Sequence, residues 1–115
     1  GDSDGKQVLL VEDDHDAAEL MKLLLSHLGH SVEVAHNARD AKSLIAIKPF
    51  DAALLDLTLP DADGISLASD IRKNHKDLKI YIVSGREPDE NDLKDVDIAG
   101  TLLKPVNRKD LATLF

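Results

Sequence analysis

Four short apolar segments of the chain each end in a side chain that can bind phosphate or a hard metal ion. They are followed by Glu12 and Asp13, by Asp56, by Ser84 and by Lys104. Parallel strands of an open α/β sheet place their carboxyl ends along one edge, where such sheets bind ligands, so these side chains are expected to share one pocket. Three carboxylates, one hydroxyl and one ammonium predict a site for a metal-assisted reaction of a phosphoryl group.

The three carboxylates would repel one another in one pocket, and a divalent cation would relieve that repulsion. Oxygen ligands, in a chain without cysteine, favour Mg²⁺ or Mn²⁺ over Zn²⁺. Asp56 follows four apolar residues and is the candidate nucleophile, although a lone aspartate after a strand more often opens a turn. The five histidines lack the spacing of metal ligands and are interpreted as surface or helix-end residues: His15, His27, His30, His36 and His75.

Ser84 and Lys104 are the candidate groups for contacting phosphoryl oxygens, through a hydroxyl and a point charge. Each also has an ordinary interpretation, because Ser-Gly is a common turn pair and a lysine often leaves a strand into solvent. Lys104 precedes Pro105. An X-Pro bond is cis in only about 5–6% of folded cases, so the sequence alone favours a trans bond here.

Composition predicts one soluble domain. The 115 residues, 43% of them hydrophobic, suffice for a single core. A net charge of −8, with 14 basic and 22 acidic residues, disfavours direct binding to nucleic acid. No apolar stretch is long enough to cross a bilayer, which predicts no membrane contact and a cytoplasmic location. The start at Gly1 suggests excision from a longer protein, with residues 1–5 a linker or cloning remnant and residues 6–115 the folded domain.

Strand-like and helix-like patterns alternate five times, which predicts βαβ units and a parallel α/β sheet. Residues 86–95 are polar around Leu93 and predict a short, weakly held fourth helix. Three other helices are expected to begin after a capping residue: Asp14, Asn37 and Asn107. The first helix is predicted to end at Gly29 and to bury a stripe formed by Ala17, Leu20, Met21, Leu24 and Leu28.

Over residues 6–115 the chain resembles response-regulator receiver domains, the CheY-like family of two-component phosphorelays. The resemblance rests on four segments in order, VLLVEDD (8–14), LLDLTLP (54–60) with Gly64, IVSG (82–85) and LKP (103–105). Their key residues are separated by 43, 28 and 20 positions, counted from Asp13 through Asp56 and Ser84 to Lys104. The resemblance implies a single flavodoxin-like domain with a five-stranded parallel sheet, strand order 2-1-3-4-5, and helices on both faces.

The resemblance further implies that Asp56 takes a phosphoryl group from a phosphohistidine of a histidine kinase or a histidine phosphotransfer protein, giving an acyl phosphate. Asp13 would hold Mg²⁺ directly and Glu12 through water. The implied ligands are, for Mg²⁺, Glu12, Asp13, Asp56 and the backbone carbonyl of Thr58, and, for the phosphoryl oxygens, Ser84 and Lys104. The family also implies a cis bond before Pro105.

One departure from the family concerns the switch that follows phosphorylation. Many receivers have a Tyr or Phe three residues before the lysine, and this chain has Thr101. Without that ring, movement of Ser84 and of the loop before the fourth helix would shift the equilibrium between two conformations of the domain. Arg86 lies where family members vary the lifetime of the acyl phosphate.

Two other functions compete with a phosphoacceptor that modifies only itself. A haloacid-dehalogenase-like phosphohydrolase would also use an Asp nucleophile and Mg²⁺, but it normally has a second Asp where Thr58 stands. A receiver-shaped interaction module that never takes phosphate is the third hypothesis. The parent protein is left open among a free-standing regulator, a regulator with an output domain and a hybrid histidine kinase, and so is the oligomeric state.

Overall fold

The computed structural model describes residues 5–87, 89–94 and 96–115, apart from the side chains of Glu90 and Asp92. Strands and helices alternate along the chain. The strands are β1 (Gln7–Val11), β2 (Ser31–Ala35), β3 (Ala52–Asp56), β4 (Lys79–Ser84) and β5 (Gly100–Leu103). The helices are α1 (His15–His27), α2 (Ala38–Ile47), α3 (Gly64–Arg72), α4 (Glu90–Leu93) and α5 (Arg108–Ala112). Residues 1–4 of the predicted linker lie outside the described residues, and the linker stays a prediction.

The five strands form one parallel sheet in the order β2-β1-β3-β4-β5, as the resemblance implied. Every residue of β3 is buried, which explains its unbroken apolar run before Asp56. The strand order reverses between β1 and β3, since the chain leaves β1 in one direction across the sheet and continues from β3 in the other. Ligands of open α/β sheets bind outside the carboxyl ends of the strands at such a reversal.

Alternate residues along the strands point to opposite faces, and each face has its own apolar core. Helices α2 and α3 cover one face, where the buried side chains include Leu9, Val11, Ala41, Ile45, Ala53, Leu55, Leu67, Ile71, Ile80 and Ile82. Helices α1 and α5 cover the other, with Val8, Leu10, Ala18, Met21, Leu25, Leu54, Tyr81, Val83 and Leu111. The two layers hold the carboxyl ends of the strands in fixed positions.

The predicted capping residues are confirmed. Asp14 and Asn37 each have extended backbone and accept hydrogen bonds from the first turn of the helix that follows. Asn107 forms a reciprocal capping box with Asp110 at the start of α5. Helix α1 ends at His27, with Leu28 as its C-cap residue. Gly29 follows, and its φ of 96° is the left-handed conformation that favours glycine.

The buried face of α1 agrees only in part with the predicted stripe: Met21 is buried and Leu24 and Leu28 pack against the core, as predicted. Ala18, Met21 and Leu25 are buried, whereas Leu20 is 54% exposed. Leucines at positions 20, 23, 24 and 25 surround the helix, so their spacing did not determine which side faces the sheet. The buried face is therefore rotated from the predicted stripe towards Ala18 and Leu25.

Helix α4 is a single turn, which agrees with the prediction of a short fourth helix. Leu93 packs against the core beside α3. Asp95, the last residue of the predicted segment, lies outside the described residues. Among the helices in residues 5–87, 89–94 and 96–115, none has the length and apolar character needed to span a bilayer.

Candidate functional site

The carboxyl ends of β1, β3, β4 and β5 bring the candidate residues to one edge of the sheet. Glu12 and Asp13 follow β1, Asp56 and Ser84 end β3 and β4, and Lys104 follows β5. Carboxylate oxygens of Glu12, Asp13 and Asp56 lie within 4.8 Å of one another. Lys104 Nζ lies 2.7 Å from Glu12 Oε1 and 3.1 Å from Asp56 Oδ2. Residues that are far apart in sequence therefore form one charged cluster.

Asp56 is held in a defined orientation by groups on both of its carboxylate oxygens. The backbone N–H of Thr58 donates to Oδ1 at 3.1 Å, and Lys104 Nζ donates to Oδ2 at 3.1 Å. The residue is only 7% exposed, at the end of a strand paired on both sides. A carboxylate with this placement has a restricted direction of approach for an incoming electrophile.

Glu12 is buried more deeply than Asp56. Its backbone N–H donates to the carbonyl of Ala35 at 3.0 Å, and its Oε2 accepts the N–H of Asp14 at 3.2 Å. Burial, together with the neighbouring carboxyl of Asp56, raises the pKa of Glu12 from 4.5 to about 7, against the opposing effect of Lys104. Without a cation, Glu12 is therefore close to half protonated at neutral pH.

Lys104 balances part of the negative charge of the cluster. Partial burial lowers the pKa of its ammonium, but contact with Glu12 and Asp56 outweighs that effect and the pKa is raised. One ammonium faces three carboxylates, and Asp13 remains exposed to solvent. All three acidic groups offer oxygen ligands, so the residues present fit a hard divalent cation such as Mg²⁺.

The stability of the metal-free protein is expected to fall as the pH rises through this range. Glu12 is protonated in both folded and unfolded states below about pH 4.5 and ionised in both above about pH 7. The folded state binds the proton more tightly, and the free energy gained from that proton is lost between these values. At about 1.4 kcal/mol per pKa unit the loss amounts to about 3 kcal/mol. Asp61 and Asp70, whose pKa values are lowered, titrate below this window. Burial lowers the pKa of His30, which acts within the window in the opposite direction, so Glu12 is isolated by comparison with a variant that lacks its titration.

Urea unfolding in EDTA at about pH 5 and about pH 8 measures this difference. Glu12→Gln is the matched control, because it keeps the shape of the side chain and removes its titration. We expect its stability to vary much less over the same range. A wild-type protein whose stability changes from pH 5 to pH 8 by the same amount as that of Glu12→Gln would contradict the raised pKa of Glu12.

Ser84 and Lys104 are joined through the backbone. The N–H of Lys104 donates to the carbonyl of Ser84 at 2.8 Å. The hydroxyl of Ser84 accepts the backbone N–H of Arg86 at 3.1 Å and is buried beside the end of β3. The Lys104–Pro105 bond is cis, so the trans expectation from sequence alone is wrong and the one from the resemblance is correct. Thr101 is exposed on β5, in register with Ile82.

The loop between β3 and α3 folds back onto the end of β3. Thr58 and Asp63 form an antiparallel bridge, and the N–H of Gly64 donates to the carbonyl of Leu57 at 2.7 Å. A Cβ atom at position 64 would overlap the carbonyl oxygen of Asp56. Gly64 is therefore required where the start of α3 approaches the backbone at the end of β3. Because glycine has no side chain, α3 can lie against the candidate nucleophile.

His36 also contacts the site, which the sequence analysis missed. Its Nδ1 lies 2.9 Å from the carbonyl oxygen of Glu12, so this nitrogen carries the proton and donates. Its ring stacks on that of His15, with centroids 3.8 Å apart and planes 6° apart. The interpretation as helix-end residues suits both His15, the first residue of α1, and His36, which directly precedes the N-cap of α2, but the contact of half-buried His36 with the end of β1 was not predicted. The contact joins the ends of β1 and β2, and spacing along the chain gives no sign of it.

Comparison with known proteins gives one consistent result. Residues 8–115 match the family described as the response regulator receiver domain. The transcriptional regulatory protein KdpE of Staphylococcus aureus is 36% identical over 107 residues, covering 91% of this chain and 46% of that protein. The chain thus spans less than half the length of the curated relatives it matches first.

Solved structures agree with the sequence comparison. A CheY-like receiver domain from Methylobacillus flagellatus superposes with a TM-score of 0.85 at 32% identity, covering 96% of this chain and 95% of that one. The response regulator TrrA from Thermotoga maritima, solved in complex with Mg²⁺ and BeF, gives 0.87 at 28% identity, with 95% of each chain covered.

Proposed function

Because the chain belongs to the response-regulator receiver domain family of two-component signalling, we propose that Asp56 accepts a phosphoryl group from a phosphohistidine in a Mg²⁺-dependent reaction. The observation that carries this proposal is the buried Asp56 carboxylate, held by Lys104 and the N–H of Thr58 beside two further acids. A carboxylate oxygen of Asp56 attacks phosphorus, the P–N bond to the imidazole breaks, and the imidazole leaves with the electron pair of that bond. The product is an acyl phosphate.

The proposed Mg²⁺ ligands are the carboxylates of Glu12, Asp13 and Asp56 and the backbone carbonyl of Thr58. When bound, the ion neutralises charge on the phosphoryl oxygens. Lys104, which already contacts Asp56, supplies a second positive charge to those oxygens, and the hydroxyl of Ser84 donates a hydrogen bond to one of them. Mn²⁺, with the same preference for oxygen ligands, is proposed as a substitute.

The proposed activity ends with the protein's own modification and its hydrolysis by water. Phosphorylation changes a protein-interaction face of the domain. The change is transmitted from Asp56 through Ser84 and the loop that leads to α4. Turnover of small phosphate esters is not expected, because Thr58 stands where a phosphohydrolase of the haloacid dehalogenase type would need a second Asp.

The proposed partners are a histidine kinase or a histidine phosphotransfer protein, which supply the phosphohistidine in the cytoplasm. An output domain in the parent protein is part of the same proposal. The greater length of KdpE, named as a transcriptional regulatory protein, supports it, since 46% of that protein aligns with this chain.

Intact-mass spectrometry after incubation with acetyl phosphate tests the proposal. We expect the mass of one phosphoryl group to be added with Mg²⁺ and none with EDTA. Peptide mapping after borohydride reduction of the acyl phosphate should locate it at Asp56. The proposal fails if neither acetyl phosphate nor beryllofluoride modifies the protein at saturating Mg²⁺, or if the label maps to another residue. Mg²⁺ binding without modification would instead indicate an interaction module.

A further inference from the structure

Asp61 connects the loop after β3 to the beginning of helix α2. Its Oδ1 accepts the backbone N–H of Ala38 at 2.8 Å, and its Oδ2 accepts the N–H of Arg39 at 3.0 Å. Asp61 is exposed, but both of its carboxylate oxygens are engaged by groups more than 20 residues earlier in the chain. Hydrogen bonds from backbone N–H groups to a carboxylate are shorter and stronger than those between neutral groups.

Asp61 completes the capping of α2, which its own N-cap residue leaves unfinished. Asn37 accepts the N–H of Asp40 with its side chain at 2.7 Å. The two N–H groups between them, those of Ala38 and Arg39, are the ones that Asp61 accepts. These hydrogen bonds from the start of α2 lower the pKa of Asp61, so the carboxylate keeps its charge at neutral pH.

The loop that Asp61 belongs to is a tight hairpin with Thr58 at its base. Thr58 bridges to Asp63, and the N–H of Leu59 donates to the carbonyl of Ala62 at 3.1 Å. Leu59 is buried in the core under α2 and α3. Asp61 lies at the tip, three residues after Thr58. Fixing the tip therefore limits rotation of the peptide groups at the base.

We propose that Asp61 is a positioning residue for the Mg²⁺ site, which holds the hairpin against α2 and so keeps the backbone carbonyl of Thr58 aimed at the ion. Asp61 itself does not touch the ion. The inference rests on the proposed function, because that function assigns the Thr58 carbonyl to the metal. Partners that orient metal ligands are commonly worth 10-fold to 100-fold in metal affinity.

Isothermal titration of Mg²⁺ into the wild-type chain and two variants tests the inference. Asp61→Ala removes both hydrogen bonds to α2, and we expect its Kd for Mg²⁺ to rise about tenfold. Asn37→Ala is the matched control, because it removes a cap from the same helix and the side-chain hydrogen bonds of Asn37 given by the structure go to Asp40. Its Kd should stay within about twofold of the wild-type value. Asp61→Asn, which keeps one acceptor oxygen, should fall between the two.

Amide hydrogen exchange in metal-free protein gives a second readout. Asp61→Ala should speed exchange at Leu59 and Gly64, whose N–H groups close the hairpin, and Asn37→Ala should not. Equal Kd values for Asp61→Ala and wild type, or equal weakening by Asn37→Ala, would overturn the positioning role. A wild-type chain that binds no Mg²⁺ would contradict the proposed function and the metal role together, while exchange would still decide whether Asp61 holds the hairpin.

Discussion

Asp56→Asn is expected to abolish uptake of a phosphoryl group from acetyl phosphate. An amide oxygen is a far weaker nucleophile than a carboxylate. Glu12 also contacts Lys104, but it is buried more deeply than Asp56, with 2% of its surface exposed. We expect the variant to remain folded, so unfolding should not account for the lost uptake. The substitution removes one of three crowded carboxylates, so the metal-free variant is expected to be at least as stable as the wild type.

Asp51→Asn is the matched control for this experiment. Asp51 precedes the same strand at its opposite end, where its Oδ2 accepts the N–H of Gln7 at 2.8 Å. An asparagine there keeps an acceptor oxygen, and uptake should equal that of the wild type. Uptake by Asp56→Asn at the wild-type level, measured by intact mass, would assign the nucleophile to another residue.

Gly64→Ala is expected to lower the free energy of unfolding by about 3 kcal/mol. The added Cβ would overlap the carbonyl oxygen of Asp56 and lie 3.0 Å from the Cα of Leu57. Both atoms belong to the backbone and cannot rotate away, so α3 or the end of β3 must move. That movement also strains the hydrogen bond from the N–H of Gly64 to the carbonyl of Leu57. We therefore expect weaker Mg²⁺ binding in the variant as well.

Gly100→Ala is the control that shows whether replacing any glycine by alanine lowers the free energy of unfolding to the same extent. Its Cβ would lie 3.6 Å from the nearest atom of the Tyr81 ring, which is ordinary van der Waals contact. Urea unfolding should show a much smaller change for Gly100→Ala than for Gly64→Ala. Similar losses in the two variants would contradict the role of Gly64 in the approach of α3 to Asp56.

Local features of the sequence predicted much of this structure. Capping side chains act within one helical turn, so Asp14, Asn37 and Asn107 could be identified from their immediate neighbours. The strands of a doubly covered sheet are continuous apolar runs, which located β3 and β4 and the polar residues that end them. The convergence of these ends then follows from parallel pairing alone.

Contacts between distant segments could not be predicted in this way. The face that α1 buries depends on packing against the sheet, and leucines on several sides of the helix left that choice open. Asp61 was not identified from the sequence, because its partners on α2 come close only in the folded chain. His36 was missed for the same reason.

Because the ion pairs made by Lys104 are largely buried, their strength depends little on the ionic strength of the medium. The side chains of Glu12 and Asp56 in this cluster are 2% and 9% exposed, whereas both members of the surface pair between Lys42 and Asp70 exceed 40%. Dissolved monovalent ions screen charges over about 8–10 Å in water, but they screen buried pairs much less. We therefore expect the concentration of a monovalent salt to affect these pairs less than it affects the pair between Lys42 and Asp70.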